Sequence, residues 1–372
     1  MMRILFLHNM AQISGGEQSL LNLWENLDRQ RFEPLLMVPQ EGPLSRKAQA
    51  LGVSVSFFEA PQLHPKNILK ILQAAIRLNT FLHSHQIKII HSYSPRNNIL
   101  SALVAKLSGT PVIWHERNLI YEDELDRSRQ FFFLADRVIC NSKAVAKRFE
   151  GLKDFDGKVR VVLNGVDLKE FKPLKEDRQL KIKLGVDGMM IAGMITNLNK
   201  RKRVEFLIET IPLVIKKISN VKFLIVGGEF PDEGGSRLKE LQILAQDLGV
   251  QNHLIFTDFQ DDVCPFLNIL DLFVHVTVKE ACSRAILEAM ACTKPVIAIN
   301  DGGNPELVDE GKTGFLIAPN SSQVLAEKII ELLLDEQRRK TMGQEGRAVV
   351  EKFFDVKRNA KETQAIYLEC QA

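Results

Sequence analysis

DLFVHVTVKEACSRAILEAMACTKPVIAIN, Asp271 to Asn300, decides the fold. Leu272–His275 and Val296–Ile299 are short runs of apolar, largely β-branched residues, and Ser283–Ala291 between them reads as an apolar helix of small residues. Two buried strands joined by a helix make a right-handed crossover with parallel strands. Upstream the same alternation continues through strands Met190–Ile195, Lys222–Val226 and Leu254–Phe256 and helices Val204–Ile218 and Ser236–Leu248, which predicts one doubly wound domain.

Before that domain lies KVRVVLNGVDLKEFKPLKEDRQ, where a strand over Val159–Leu163 runs into an Asn-Gly turn and a charged, proline-containing linker. The first half repeats the pattern, with strands at Arg3–Leu7, Glu33–Val38, Ser54–Phe58, Ile87–His91, Pro111–Trp114 and Arg137–Cys140. Helices over Gln18–Leu27, Asn67–His83 and Asn98–Leu107 fall between them. The expected organisation is a first Rossmann-like domain over 1–167, a second over 168–353, and a C-terminal helix, about 354–372, packed back on the first. A chain of 372 residues exceeds the size at which one core usually stops growing.

With 45% hydrophobic and 26% charged residues the chain is composed to fold. Its 49 basic and 46 acidic residues are too balanced for nucleic-acid binding by bulk charge. The five cysteines are odd in number, far apart and lack a C-x-x-C pair, so neither a disulfide framework nor a zinc site is predicted, as fits a reducing cytoplasm. The opening MMRILFLHNM reads as a strand, not a signal peptide, and every apolar run stays below the roughly 18–20 residues that span a bilayer.

Chemistry concentrates where strands end. Glu280 and Glu288, if both helical, would stand about 12 Å apart along the axis, beyond the roughly 5–9.5 Å of a glycosidase pair. They read instead as two contacts along one long polar ligand. Glu280 falls in the loop after Leu272–His275, where the amides of Cys282, Ser283 and Arg284 at a helix N-terminus suit an anion. The alternative is that Glu280 complements the helix dipole while Glu288 is solvated. In NDGGNPELV, Gly302-Gly303 permit a tight turn and Asn304-Pro305 form an N-cap and N1 pair.

SGGEQSL, Ser14 to Leu20, is a further glycine loop, in which Gly15 and Gly16 let a ligand approach backbone; it lacks the full G-x-G-x-x-G of nicotinamide dinucleotide sites. TNLNKRKRV places Lys200, Arg201, Lys202 and Arg203 at the end of a strand, where they can neutralise a diphosphate. His115 in PVIWHERN can donate to a sugar hydroxyl or phosphate oxygen. His83 and His85 read as a surface pair, and Asp154-Phe155-Asp156 as a turn.

With these residues in place, the chain resembles family 4 of the retaining glycosyltransferases over nearly its whole length. The resemblance is carried by GGEQSLLNL, VICNSKAV, VRVVLNGVDLKEFKP, NLNKRKR, FLIVGGE, LIFTDFQDDV, the E-x7-E stretch from Glu280 to Glu288 with its flanks, and GKTGFLI. It implies the GT-B architecture, two doubly wound domains facing across a cleft, with the acceptor held mainly by the first and a nucleotide-sugar by the second. It implies that Glu288 binds the ribose, Glu280 the donor sugar and Lys202 the diphosphate, that Gly15 and Gly16 offer backbone contacts, and that His115 lies near the transferred sugar. The family retains anomeric configuration without a D-x-D-bound metal.

Two departures stand out. Ala281-Cys282-Ser283 replaces the family's Gly-Phe-Gly, and Asn197 stands where an arginine often precedes the lysine, leaving Lys200 or Arg201 to substitute. The expectation is therefore a transferase of cell-surface glycan or glycolipid synthesis. It would use no cofactor beyond its co-substrate, a UDP-sugar, on a glycan or lipid-linked acceptor. Arg284 and Gly303 complete the expected donor contacts. The place is the cytoplasm, peripheral on the inner face of the membrane, which the helix Lys66–His85 touches with Lys66, Lys70 and Arg77 if core packing does not claim its apolar stripe. The alternatives are a non-catalytic donor-binding partner of another transferase, or a sugar-nucleotide epimerase.

Overall fold

A computed structural model describes residues 1–120, 124–229 and 235–371. The chain divides into two units, Met1–Gly165 with Val356–Ala372, and Val166–Asp355. The chain leaves the first unit at Gly165 and returns at Val356. At the crossing, the Val166 N–H donates to the Phe354 carbonyl at 2.8 Å.

The first unit holds a seven-stranded parallel sheet: β1 Met2–Leu7, β2 Phe32–Val38, β3 Ser54–Phe57, β4 Ile89–Tyr93, β5 Val112–Glu116, β6 Arg137–Cys140 and β7 Val159–Val161. The strands lie in the order β3-β2-β1-β4-β5-β6-β7. The predicted linker strand is thus the last strand of this sheet. The order reverses between β1 and β4, and open α/β sheets bind ligands beyond the carboxyl ends of their strands at such a point.

The second unit repeats this plan with β8 Met190–Ile195, β9 Val221–Val226, β10 Leu254–Phe256, β11 Leu272–His275, β12 Val296–Ile299 and β13 Gly314–Ile317, in the order β10-β9-β8-β11-β12-β13. Its switch point lies between β8 and β11, the strands that precede the basic run and Glu280. Helices cover both faces, so β11 is buried on both: Leu272 and Val274 join the core with Ile297 and Ile299, while His275, on the other face, is only 3% exposed.

The helix that carries Glu288, Arg284–Ala291, is held from behind by helix Glu336–Phe353. A Cβ on Gly343 would stand 2.0 Å from the Thr293 carbonyl oxygen, so only glycine lets the two come this close.

Helix Ile68–Ser84 corrects one expectation. Ala74, Leu78 and Leu82 face the core, but Ile68, Leu69, Leu72 and Ile76 are 55%, 72%, 53% and 66% exposed. Core packing therefore claims only part of the stripe; the remainder faces outward beside Lys66, Lys70 and Arg77. Among the described residues, no helix is long and apolar enough to cross a membrane.

Candidate functional site

In the second unit, the loop after β11 is shaped by Lys279, which adopts φ 52°, a left-handed conformation that costs a non-glycine residue on the order of 1 kcal/mol. Its N–H donates to Asp301, and the next carbonyl, that of Glu280, accepts from the Gly303 N–H at 2.8 Å. The two loops are thereby stitched together. Asn304 completes the join, donating from Nδ2 to the carbonyls of Ile299 at 3.0 Å and Thr277 at 3.4 Å. Asn304-Pro305 open a single 3-10 turn, Asn304–Glu306, and not the expected helix, because the Asn304 side chain is spent on this strut.

The strut presents Glu280 to Lys202, whose ammonium lies 2.7 Å from Oε2. Burial alone would push the Glu280 carboxyl up, but the Lys202 charge and hydrogen bond outweigh it and hold the carboxyl below its usual range. Of the other basic residues, Lys200 and Arg201 are exposed, and Arg203 stacks on Phe206 with its carbon 4.7 Å from the ring centre. Asn197 is part-exposed and caps its own loop, accepting from the Asn199 N–H at 3.2 Å.

Glu288 stands inside the helix and Glu280 outside it, so the helical ruler of about 12 Å does not apply to the pair. Glu288 accepts from Arg284 at 2.8 Å, with side chains only 10% and 14% exposed. This i,i+4 pair has its cation at the N-terminus and its anion toward the C-terminus, the less stabilising of the two orientations on a helix. Arg284 Nη1 is buried with no partner among the described residues, an open donor beside a buried carboxylate. Ala281, Cys282 and Ser283 are all buried, and Ser283 Oγ caps the helix by accepting from the Ile286 N–H at 3.4 Å. The side chains that replace Gly-Phe-Gly are thus turned into the protein.

Sequence reading missed His275 and Thr277. Both ring nitrogens of His275 and the Thr277 hydroxyl are buried without partners among the described residues. Burial, opposed in part by Glu280, brings His275 down to about 4, so it is neutral at pH 7. A histidine inside an otherwise apolar strand was the available signal.

In the first unit, helix Gly15–Glu25 begins before the expected Gln18, because the Glu17 carboxylate accepts from the Ser14 N–H at 2.9 Å and from its hydroxyl at 2.5 Å. Gly15 and Gly16 are therefore the first turn of a helix, not a free loop. A Cβ on Gly16 would reach Arg117 Nε at 3.7 Å, which places this arginine against the glycines.

Arg117 also donates to Ser19 Oγ at 2.9 Å, Asn164 Oδ1 at 2.8 Å and His115 Nε2 at 3.2 Å. An arginine N–H can only donate, so His115 Nε2 accepts here. Burial first, then the Arg117 charge, hold His115 well below its usual value, and the ring is neutral. Behind it Glu116 pins the end of β5, accepting from Asn98, Ser128 and Arg148 at 2.7, 2.7 and 2.8 Å.

A sequence profile described as Glycosyl transferases group 1 matches residues 147–349, and one described as Glycosyltransferase Family 4 matches residues 13–170. The UDP-Gal:alpha-D-GlcNAc-diphosphoundecaprenol alpha-1,3-galactosyltransferase of Escherichia coli is 25% identical over 377 residues, spanning 97% of this chain and 95% of its own length. The capsular polysaccharide biosynthesis glycosyltransferase CapM of Staphylococcus aureus is 24% identical over 311 residues, 80% of each chain. Among solved structures, HepE of Anabaena in complex with UDP aligns with a TM-score of 0.87 at 24% identity over 99% of this chain and 100% of its own. Its complex with UDP-glucose gives 0.84 at 25%, over 98% and 99%.

Proposed function

Because the chain belongs to the group 1 glycosyl transferases, we propose that it moves a sugar, with retention and without a metal, from a UDP-sugar to a glycan or lipid-linked acceptor. The observation that carries this is the second unit's file of charges, Lys202 on Glu280 and Arg284 on Glu288, at the carboxyl edge of a doubly wound sheet. A nucleotide-sugar is long, anionic at its middle and polar at both ends. Glu288 takes the ribose, Lys202 and the amides around Ser283 the diphosphate, and Glu280 the sugar. Lys200, Arg201, Asn197 and Gly303 border this path. Retaining transfer then needs charge stabilisation of the departing diphosphate and a placed acceptor hydroxyl, with no protein nucleophile. The first unit, with Gly15, Gly16 and His115, serves the acceptor and the transferred group.

The choice of uridine is supported by the UDP and UDP-glucose complexes of HepE and by the UDP-galactose donor named for the E. coli relative. A panel of UDP-, GDP- and ADP-sugars tests it. A UDP-sugar at about a hundred times its Kd stabilises the protein by about 2.7 kcal/mol and releases UDP when acceptor is added. If no nucleotide-sugar shifts the melting temperature, the reading falls. Binding without turnover points to the non-catalytic partner, and exchange of a sugar proton without acceptor points to an epimerase.

We also propose that the protein works at the cytoplasmic face of the membrane, with the outward side of helix Ile68–Ser84 touching anionic lipid. Four exposed aliphatic side chains flanked by Lys66, Lys70 and Arg77 suit that surface. Sedimentation with anionic vesicles is expected to fall at least about tenfold in Leu69→Ser/Leu72→Ser/Ile76→Ser, roughly the loss of a few buried methylenes. Equal sedimentation of both proteins rules this helix out.

A further inference from the structure

The polar groups at the carboxyl ends of β4 and β5 form a chain whose direction is set at one end. Arg117 donates to His115 Nε2 at 3.2 Å, and a neutral imidazole with an accepting Nε2 carries its hydrogen on Nδ1. That Nδ1 lies 3.0 Å from His91 Nε2, which therefore accepts, so the hydrogen of His91 sits on its own Nδ1. His91 Nδ1 in turn donates to the Tyr367 hydroxyl at 2.7 Å. The reverse direction would crowd two hydrogens between His115 and Arg117.

The rings have little freedom to escape this order. His91 and Tyr367 are fully buried, His115 is 8% exposed, and the two imidazoles lie edge to edge, their centres 5.2 Å apart with 13° between their planes. Tyr93 stacks on both, and His8 packs against Tyr93. Tyr367 comes from the C-terminal helix Val356–Glu369, the segment that returns to this unit.

We propose that Arg117, with His91 and Tyr367 as the relay behind it, is a positioning residue that holds His115 as its Nδ1–H tautomer, so that this site offers a ligand hydroxyl an accepting nitrogen. The proposal deepens the transferase reading and rests on it for its functional part. While Arg117 keeps this order, an atom that approaches Nε2 must bring a hydrogen. A hydroxyl does; an ionised phosphate oxygen does not. The C-terminal helix thereby closes a relay that reaches His115, far from it in sequence, through two hydrogen bonds.

The test is a long-range proton–nitrogen spectrum of the full-length protein with 15N-labelled histidine at pH 7, with no sugar present. His91 and His115 are expected to carry their hydrogen on Nδ1. Arg117→Met removes the donor that sets the order, so both rings become tautomer mixtures and kcat falls about tenfold, the equivalent of roughly one hydrogen bond, with donor KM unchanged. An Nε2–H form of either histidine in the wild type overturns the proposal, as does an Arg117→Met protein whose tautomers or kcat are unchanged. If that variant does not fold, the wild-type spectrum decides alone. Lack of transfer with every donor defeats the transferase reading but leaves the spectrum to judge the relay.

Discussion

Lys202→Met is expected to lower kcat by about 10²–10³-fold, the usual loss when a group that stabilises developing charge is removed. The ammonium lies 2.7 Å from Glu280, and both side chains are about a quarter exposed. Loss of the pair should therefore cost stability no more than about 1 kcal/mol, so that chemistry and not folding dominates the result. Lys202→Arg keeps the charge and should recover part of the rate. Lys202→Met/Glu280→Gln should be no worse than the poorer single variant, because the two act through one contact. Initial rates with a UDP-sugar and acceptor, alongside thermal melting, decide this; a fall in kcat of less than about threefold removes Lys202 from the reaction.

A second large effect is expected from acid. Burial brings His91 down to about 3, with Arg117 and His8 adding to it, and His275 to about 4, between Glu280 and Lys202. Both folded values lie below the unfolded one, so both rings are neutral in either state above about pH 6.5, and the loss begins as pH falls below it. At pH 5.5 the unfolded chain gains about 1.4 kcal/mol per histidine from protonation, about 3 kcal/mol for the two. His115, buried beside Arg117, adds to the same trend. The carboxyl of Glu280 is lowered and has no part in this window. Denaturant midpoints at pH 7.5 and 5.5 measure it. His275→Leu should flatten the second unit's share and, by removing two unpartnered nitrogens, raise its stability at pH 7.5. Equal midpoints at both pH values, or a variant as acid-sensitive as the wild type, would sink the prediction.

The parts of the molecule legible in sequence are those where local pattern and final environment agree. Met190–Ile195, Leu254–Phe256, Leu272–His275 and Val296–Ile299 are strands to the residue, since each is a short apolar run bounded by breakers, and all but the half-buried edge strand Leu254–Phe256 are largely buried on both faces. Gly314–Ile317 and helix Pro43–Ala50 were missed, being short and lacking a clean period. Helix Gly15–Glu25 began early because two glycines, poor helix formers, were carried by the Glu17 contact with Ser14. Glu280, Glu288 and Lys202 could be picked out as candidates from residue type and position at strand ends. His91 and His275 are marked only as single polar residues inside apolar runs, a signal without a period, and Arg117 and Tyr367 carry none.

The sequence by itself determined two doubly wound units and which strand ends carry charge, because burial on both faces of a parallel sheet writes its pattern locally. Which charges meet was decided by tertiary structure alone. Lys202 reaches Glu280 across the switch point between β8 and β11, and Tyr367 reaches His91 only when the C-terminal helix returns to the first unit. Hydrogen bonds and ion pairs act over about 3 Å, so they depend on contacts between segments distant in sequence, which no local pattern records.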